Sequence, residues 1–342
     1  SSFASSSLFT IHRRMQTIGE ETEQKEMALR RVGVCFDIDG VLLRGKKMLP
    51  GAKEAVQLLR KRNIPHIFLT NGGGIKETTK ADVVGKVLGL KINHQDIVLA
   101  HTPMKSLVHK RGLGDKRVMI LGCKNFEEVA DSYGFKRTVT PQEFVAQHPD
   151  IYPFLAERAP QKESHDPYKD EPIEAILVVH DPVDWHLEIQ VCIDVLLNRD
   201  PLSVARGLKQ GEKPIPVYNS NEDFVFASTY DHPRFAQGAF VETLSHLYKL
   251  SGGDQLEIER FGKPNKVTFD YAENLLEAKE AGPKKNAPAG STLDRIFMIG
   301  DNPAADIEGA NKAGGAWRSV LLESGIYKDG DDTNGAHHVL PD

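Results

Sequence analysis

Residues 32–41 read VGVCFDIDGV, an apolar run that ends in two carboxylates two positions apart, Asp37 and Asp39. The run predicts a short buried strand that gives way to a turn, and on a continuing strand both side chains would share one face. Like charges that close need a cation or a proton. Bound Mg²⁺ would supply the cation, so the run points to phosphoryl chemistry, while an acidic turn after a core strand stays open as the alternative.

Two further apolar strands are predicted to end in polar turns. Residues 65–69 (PHIFL) precede Thr70, and residues 295–299 (RIFMI) come just before Asp301. Apolar residues at helical spacing over 52–59 separate the first two strands, and this βαβ pattern predicts a parallel sheet. Ligands of open α/β sheets bind beyond the carboxyl ends of the strands, so these polar residues are expected to converge on one crevice.

At 342 residues the chain is long enough for two domains. The predicted fold class is α/β, with a Rossmann-like parallel-sheet core and an inserted α/β cap. We assign 28–100 and 235–342 to the core and 101–234 to the cap. Three strands are expected within the insertion, at 117–121, 175–179 and 215–218. Loops are expected at 159–172 and 282–291, and a helix at 266–278.

Composition narrows the function classes. The net charge of -5 argues against a nucleic-acid partner. Cys35, Cys123 and Cys192 form no CxxC pair, so the sequence suggests neither a disulfide framework nor a zinc site, and each cysteine is expected to be a small core residue. No apolar run reaches the roughly eighteen residues that a transmembrane helix needs.

The N-terminal segment 1–27 differs from the rest. Its first nineteen residues hold five serines, Arg13, Arg14 and no acid. Such a composition is typical of an organelle transit peptide, which would make the protein mitochondrial. The alternative is a disordered terminus on a cytoplasmic protein.

The four aspartates are candidates for different roles in the chemistry. Asp37 is the candidate nucleophile, since an aspartate attacking phosphorus gives an aspartyl phosphate that water can cleave. Asp39 is the candidate general acid and base. Asp301 would complete an oxygen-rich Mg²⁺ site with Asp37 and the backbone carbonyl of Asp39. Asp306 would support the metal from outside, although a helix dipole also favours an acid there.

Phosphate oxygens need fixed donors, which four other residues can supply. Thr70 offers a hydroxyl, and Asn71 and Gly72 offer backbone N–H groups in a glycine-rich turn. Lys263 offers a positive charge suited to a phosphoryl group. A glycine turn or a lone lysine is weak evidence by itself, so the weight comes from the order of the set along the chain.

These motifs resemble those of the haloacid dehalogenase (HAD) superfamily, which match here as Asp37-Ile38-Asp39-Gly40, Thr70-Asn71, Lys263 and residues 300–306. The long insertion after Thr70 is similar to that of subfamily IIA, whose members carry a C2-type cap. The resemblance implies a Mg²⁺-dependent phosphatase acting on a small phosphorylated metabolite, with Asp37, Asp39, Thr70 and Lys263 catalytic. An acid two residues after the nucleophile separates the phosphatases and phosphomutases from the dehalogenase branch.

Three segments resemble the eukaryotic cat-eye-syndrome-region hydrolase-like proteins: residues 69–74 (LTNGGG), 101–103 (HTP) and 133–135 (YGF). Those proteins are generally mitochondrial, and some fungal relatives are fused to a phosphatidyltransferase domain. The resemblance therefore implies a role in mitochondrial glycerophospholipid metabolism. Related proteins often pair through their caps, which implies a homodimer.

The cap is expected to set substrate specificity. The candidate substrate contacts are His180, Asp181, Asn219, Asn221 and Asp223. Trp185 is expected to be a packed aromatic, and Asx turns are the alternative for the asparagines. Two other functions stay open: a mitochondrial scaffold with a vestigial catalytic site, and a phosphomutase. Spacing alone does not identify the substrate.

Overall fold

The computed structural model describes residues 31–122, 126–154, 167–210, 212, 214–226, 230–281, 293–327 and 330–340. The N-terminal segment 1–27, Cys123 and the predicted loop at 282–291 lie outside these residues, as does most of the loop predicted at 159–172. The described chain forms two compact units. The first contains the described parts of Ser1–Phe68, Val87–Leu90 and Asp270–Asp342, and the second those of Leu69–Lys86 and Lys91–Phe269.

The strands are β1 Val32–Phe36, β2 Leu43–Arg44, β3 Lys47–Met48, β4 His66–Leu69, β5 Ile97–Val98, β6 Arg117–Leu121, β7 Arg137–Val139, β8 Ala175–Val178, β9 Val217–Asn219, β10 Val225–Phe226, β11 Arg234–Phe235, β12 Ile258–Arg260, β13 Arg295–Gly300, β14 Trp317–Leu322 and β15 His338–Leu340. The helices are α1 Ala52–Lys61, α2 Glu77–Leu88, α3 Lys105–Lys110, α4 Phe126–Tyr133, α5 Pro141–Gln147, α6 Trp185–Leu196, α7 Pro201–Ala205, α8 Gln237–Leu250, α9 Lys266–Ala281 and α10 Glu308–Ala313. None of the described helices is long and apolar enough to cross a membrane.

The first unit contains a parallel sheet in the order β15-β14-β13-β1-β4. Strand β1 lies between β13 and β4, and its residues 33–36 are buried. Parallel strands covered on both faces read as continuous apolar runs, which is why this strand could be predicted from VGVCF. The parallel α/β architecture with strands at 32–36, 66–69 and 295–300 confirms the predicted fold class.

The second unit contains its own parallel sheet, in the order β12-β9-β8-β6-β7. Alternate residues of β6 enter different hydrophobic clusters: Met119 and Leu121 join one cluster, while Val118 and Ile120 join another. Because successive side chains of a strand point to opposite faces, each face of this sheet carries a core. Strands β6, β8 and β9 correspond to the three strands predicted within the insertion.

The unit boundaries differ from the predicted domain boundaries. Strand β12 pairs with β9 in the second sheet, although residue 258 follows the predicted end of the cap at 234. Residues 69–86 and 91–100 also belong to the second unit. A short polar strand such as IER carries no periodic signal that assigns it to a sheet, so its partner is determined only by tertiary pairing. The predicted domain boundaries stay a prediction.

Candidate active site

Asp37 directly follows the carboxyl end of strand β1 in the first unit. Phe36 pairs with Ile299 of β13, and the backbone N–H of Asp37 donates a 2.8 Å hydrogen bond to the carbonyl of Ile299. This register brings Asp37 beside the end of β13, after which Asp301 follows. Two carboxylates that are 264 positions apart in the chain therefore share one edge of the sheet.

Three buried carboxylates converge at this edge. Asp37, Asp301 and Asp306 each offer an oxygen, and these oxygens all lie within 4.8 Å of one another. Their exposed fractions are 6%, 2% and 0%. Buried carboxylates repel one another unless a cation compensates them. An all-oxygen donor set suits a hard divalent cation, so the three residues fit Mg²⁺.

The segment 324–327 holds Asp301 in place. The backbone N–H of Ile326 donates a 2.7 Å hydrogen bond to Oδ2 of Asp301, and the N–H of Tyr327 donates to the Asp301 carbonyl at 3.1 Å. Gly325 packs directly against this carboxylate, where a Cβ atom would overlap Oδ2. The carboxylate is therefore oriented by backbone atoms before any metal binds.

Gly40 packs against the same carboxylate from another side. Its φ is +97°, and a Cβ atom there would overlap the oxygens of Asp301. The Oγ of Ser324 donates a 2.5 Å hydrogen bond to the Gly40 carbonyl, and Arg44 donates to the Ser324 carbonyl. The glycine after Asp39 is therefore needed both for its backbone conformation and for the space it leaves.

Asp306 lies in a wide helical turn, Pro303–Ile307, that precedes α10. Its Oδ2 accepts a 3.1 Å hydrogen bond from the backbone N–H of Asn302, whose own side chain caps the turn through the N–H groups of Ala304 and Ala305. A Cβ atom on Gly300 would overlap the Asp306 carboxylate. The turn directs Asp306 toward the strand end rather than to solvent.

Asp39 differs from the other three aspartates because it is exposed. It lies in the tight turn after Asp37, in which the N–H groups of Leu42 and Leu43 donate to the Ile38 carbonyl. The structure does not include its carboxylate in the buried cluster. Its exposure places this carboxyl in contact with water, as the role predicted for Asp39 as general acid and base requires.

Thr70, Asn71 and Lys263 come together within the second unit. The amide of Asn71 accepts a 2.7 Å hydrogen bond from the backbone N–H of Lys263 and donates one of 2.9 Å to the Lys263 carbonyl. Thr70 directly follows β4, and its Oγ1 accepts a 3.0 Å bond from the N–H of Gly72. The side chain of Asn71 therefore joins two motifs that are 192 residues apart.

The Lys263 side chain is buried, with 2% exposed, and its Nζ donates to the Leu69 carbonyl at 3.2 Å. The preceding Gly262 has a φ of +75° and packs closely against the carbonyl of Ser220. Thr70 is also buried, at 3%. A buried ammonium beside a threonine and the turn at 71–72 is an arrangement suited to an anion.

Two of the predicted cap positions, Asp223 and the His180-Asp181 pair, lie beside the turn that begins at Asn71. Asp223 accepts a 3.3 Å hydrogen bond from Asn71, so it lies beside the Asn71–Lys263 pair. His180 pairs with Asp181 at 3.6 Å, and its ring packs on Gly74, whose Cβ would lie 2.6 Å from the imidazole. Burial lowers the pKa of His180, and the Asp181 charge opposes that shift.

The two predicted asparagines bond within the unit. Asn219 is fully buried, donates to the Asn221 carbonyl at 2.7 Å and accepts from Gln237 at 2.6 Å. Asn221 accepts from the N–H of Asp223 at 3.0 Å, which is an Asx turn. Trp185 packs edge-on against Phe240, as the sequence predicted.

Sequence reasoning did not single out several residues that hold the predicted site side chains in place. Ile326 acts through its backbone N–H, which has no side-chain signature, and Gln237 supports Asn219 from a distant helix. The Ser324-Gly325 pair was the available signal, because a glycine there allows a close backbone approach. Glu77, which forms a buried network with His101 and Tyr133, was not singled out, and the segments that contain His101 and Tyr133 were identified only as family resemblances.

Comparison with known proteins identifies the family of this chain. A family model described as haloacid dehalogenase-like hydrolase matches residues 34–136, and a second, described as HAD-hydrolase-like, matches 260–342. The mitochondrial hydrolase YKR070W of Saccharomyces cerevisiae is 36% identical over 89% of this chain and 90% of its own length. The chain belongs to the haloacid dehalogenase-like hydrolases.

Two other similarities concern a fusion protein and a solved structure. This HAD-like hydrolase is 34% identical to a cardiolipin synthase (CMP-forming)/mitochondrial hydrolase fusion protein of Schizosaccharomyces pombe, over 90% of this chain and 51% of the fusion protein. The p-nitrophenyl phosphatase of Archaeoglobus fulgidus superposes with a TM-score of 0.62 at 17% identity, covering 90% of this chain and 95% of that one. The second similarity shows that the two proteins share a fold.

Proposed function

We propose that this HAD-like hydrolase is a Mg²⁺-dependent phosphatase that cleaves a small phosphorylated metabolite through an aspartyl-phosphate intermediate. The observation that carries the proposal is the cluster of Asp37, Asp301 and Asp306, whose buried carboxylate oxygens lie within 4.8 Å. Such a cluster costs stability unless it binds a cation or a proton. The three aspartates would hold Mg²⁺ together with the backbone carbonyl of Asp39. When bound, the ion would neutralise the charge on the phosphoryl oxygens.

In the first step a carboxylate oxygen of Asp37 attacks phosphorus, and the bond from phosphorus to the ester oxygen breaks. Asp39 gives its proton to the departing alkoxide. In the second step Asp39 takes a proton from water, the water oxygen attacks phosphorus, and the bond to Asp37 breaks. Inorganic phosphate leaves, and both carboxyl groups return to their starting forms.

We assign the binding of the phosphate oxygens to Thr70, Asn71, Gly72 and Lys263. Lys263 is a buried cation, and the Asn71 side chain fixes its backbone. We assign these residues and Asp37 to the same phosphoryl group because the order of these residues along the chain matches that of the family motifs. His180, Asp181, Asn219, Asn221 and Asp223 stay the proposed determinants of the substrate's leaving group.

We further propose a mitochondrial location and a substrate from glycerophospholipid metabolism. Two relatives are named mitochondrial hydrolases, and one of them is fused to a cardiolipin synthase. A panel of phosphorylated head-group intermediates, compared with sugar phosphates, tests the substrate class. A homodimer stays a prediction that analytical ultracentrifugation tests.

The test of the chemistry uses p-nitrophenyl phosphate with Mg²⁺. Asp37→Asn is expected to lower phosphate release at least about 1,000-fold, because the amide is not a nucleophile. The control is Asp82→Asn, at an exposed aspartate on α2, and this variant is expected to keep full activity. Undiminished release by a folded Asp37→Asn protein overturns the assignment, as does phosphoryl transfer to a second metabolite without phosphate release.

A further inference from the structure

A buried polar network lies beside the turn at residues 72–74 in the second unit. Its centre is Glu77, whose Oε1 accepts hydrogen bonds of 2.8 Å from both Thr102 and Tyr133 and forms a 2.8 Å ion pair with Lys105. Burial alone raises the pKa of the Glu77 carboxyl, but the hydrogen bond and charge of Lys105, with Thr102, bring it below its usual value. Glu77 is therefore a carboxylate that only accepts hydrogen bonds.

The network fixes the tautomer of His101. The Tyr133 hydroxyl gives its hydrogen to Glu77, so its oxygen is left to accept from Nδ1 of His101, 2.6 Å away. Nδ1 therefore carries the hydrogen and Nε2 carries a lone pair. Burial lowers the pKa of His101 to about 4, so the ring is neutral at pH 7.

That lone pair faces the glycine turn. His101 is fully buried, and its Nε2 has no hydrogen-bond partner within the described residues. The same edge of the ring packs on Gly73, where a Cβ atom would lie 3.0 Å from Cδ2 and 3.4 Å from Nε2. A buried acceptor without a donor costs roughly 1–3 kcal/mol, so a turn conformation that brings an N–H to Nε2 is favoured.

We propose that His101 is a positioning residue for the turn at 72–74, with Nε2 accepting a backbone N–H of the turn when the turn binds the phosphate group of the substrate. The inference rests on the proposed function and deepens it. Tyr133 and Glu77 act through His101 by keeping Nε2 unprotonated. Gly73 is required because any side chain there would separate the ring from the turn backbone.

Two variants test the two parts of this network separately, the Nε2 acceptor of His101 and the hydroxyl that fixes its tautomer. His101→Asn removes Nε2 but leaves an amide near Nδ1 for Tyr133, whereas Tyr133→Phe keeps Nε2 but removes the partner that fixes the tautomer. The matched control is Tyr152→Phe, which breaks a 2.7 Å bond between Tyr152 and His186 in the other hydrophobic cluster of the unit.

The readouts are the Kd of inorganic phosphate by calorimetry with Mg²⁺ and the kinetics of p-nitrophenyl phosphate hydrolysis. Both network variants are expected to raise the Kd of phosphate and the KM by a similar factor of about 5, since one oriented hydrogen bond is lost, with kcat changed less than about 2-fold. The control keeps wild-type values. If the wild type binds no phosphate, the proposed function fails and this inference with it. Wild-type affinity in both folded variants overturns the inference alone.

Nitrogen NMR of ¹⁵N-histidine-labelled wild-type protein tests the same point without a variant. Nε2 of His101 is expected to show the shift of an unprotonated nitrogen from pH 6 to 8 and to move on saturation with phosphate, as its lone pair accepts a hydrogen bond. A protonated Nε2, or a resonance that phosphate leaves unchanged, overturns the positioning role.

Discussion

The side chain of Asn71 is hydrogen-bonded to the backbone of Lys263 twice, through its oxygen at 2.7 Å and its nitrogen at 2.9 Å. This pairing means that the position of the lysine depends on a residue near the start of the second unit. Asn71→Ala removes both bonds and the 3.3 Å bond to Asp223. We expect a loss of about 1–3 kcal/mol in the free energy of unfolding, measured by urea denaturation, and at least about 10-fold lower phosphatase activity.

Asn71→Asp is the matched control for this pairing. An aspartate keeps an acceptor for the Lys263 N–H but loses the donor to the Lys263 carbonyl and places a second carboxylate beside Asp223. We expect stability between the wild type and Asn71→Ala. If Asn71→Ala unfolds at the wild-type urea concentration, the pairing is not what holds Lys263.

Magnesium is expected to stabilise the folded protein through the buried aspartates. Adding Mg²⁺ at 100 times its Kd should raise the free energy of unfolding by about 2.7 kcal/mol, because the ion binds only the folded state. Asp301→Asn should abolish most of this increase, and a chelator should remove the activity of the wild type. Equal stabilisation of both proteins by Mg²⁺ in thermal unfolding would place the ion elsewhere.

Substitutions at Gly40 and Gly45 distinguish the effect of steric overlap from the effect of backbone conformation. Both have a positive φ, +97° and +62°, but a Cβ on Gly40 would overlap Asp301 while one on Gly45 meets nothing within 4 Å. Gly45→Ala should cost only about 1 kcal/mol of backbone strain and keep activity. Gly40→Ala should in addition displace the Asp301 carboxylate, with lower Mg²⁺ affinity and strongly reduced turnover. Equal Mg²⁺ affinities in the two variants would contradict this account.

Acid should destabilise the protein in a pH window set by His101. Its pKa falls from the usual 6.5 to about 4 on folding, because of burial. The stabilisation from its neutral form is therefore present above pH 6.5 and is lost as the pH falls toward 4, since only the unfolded chain takes up the proton. Between pH 7.5 and 5, unfolding free energy should fall about 2 kcal/mol more for the wild type than for His101→Asn. Parallel pH profiles in urea denaturation would contradict it.

The comparison of the wild type with His101→Asn also excludes two other titrating groups as the cause of this pH dependence. Glu77 has a lowered pKa, so its contribution is present above its ordinary value of 4.5 and is lost only at lower pH. His180 titrates in both proteins, so its contribution largely cancels in the difference.

Much of the fold could be predicted from local pattern. The apolar runs at 32–36 and 66–69 are almost wholly buried, the run at 295–300 alternates between buried and less buried residues, and each is followed directly by the polar residue that the chemistry needs. The boundaries between the two units are harder to predict. Strand β12 has no hydrophobic periodicity and joins the second sheet only by pairing with β9. Helix α9 extends to Ala281, three residues beyond its predicted end.

The sequence by itself determined the residue types of the chemistry: carboxylates after two parallel strands, a hydroxyl after a third, and a lysine between a glycine and a proline. These follow from short-range pattern, which a single sequence displays. Only the tertiary structure decided which carboxylates form the buried cluster, that Asp39 lies outside it, and that Asn71 holds Lys263. Backbone donors such as Ile326 and the orientation of His101 arise from contacts between distant segments, and no local pattern encodes such contacts.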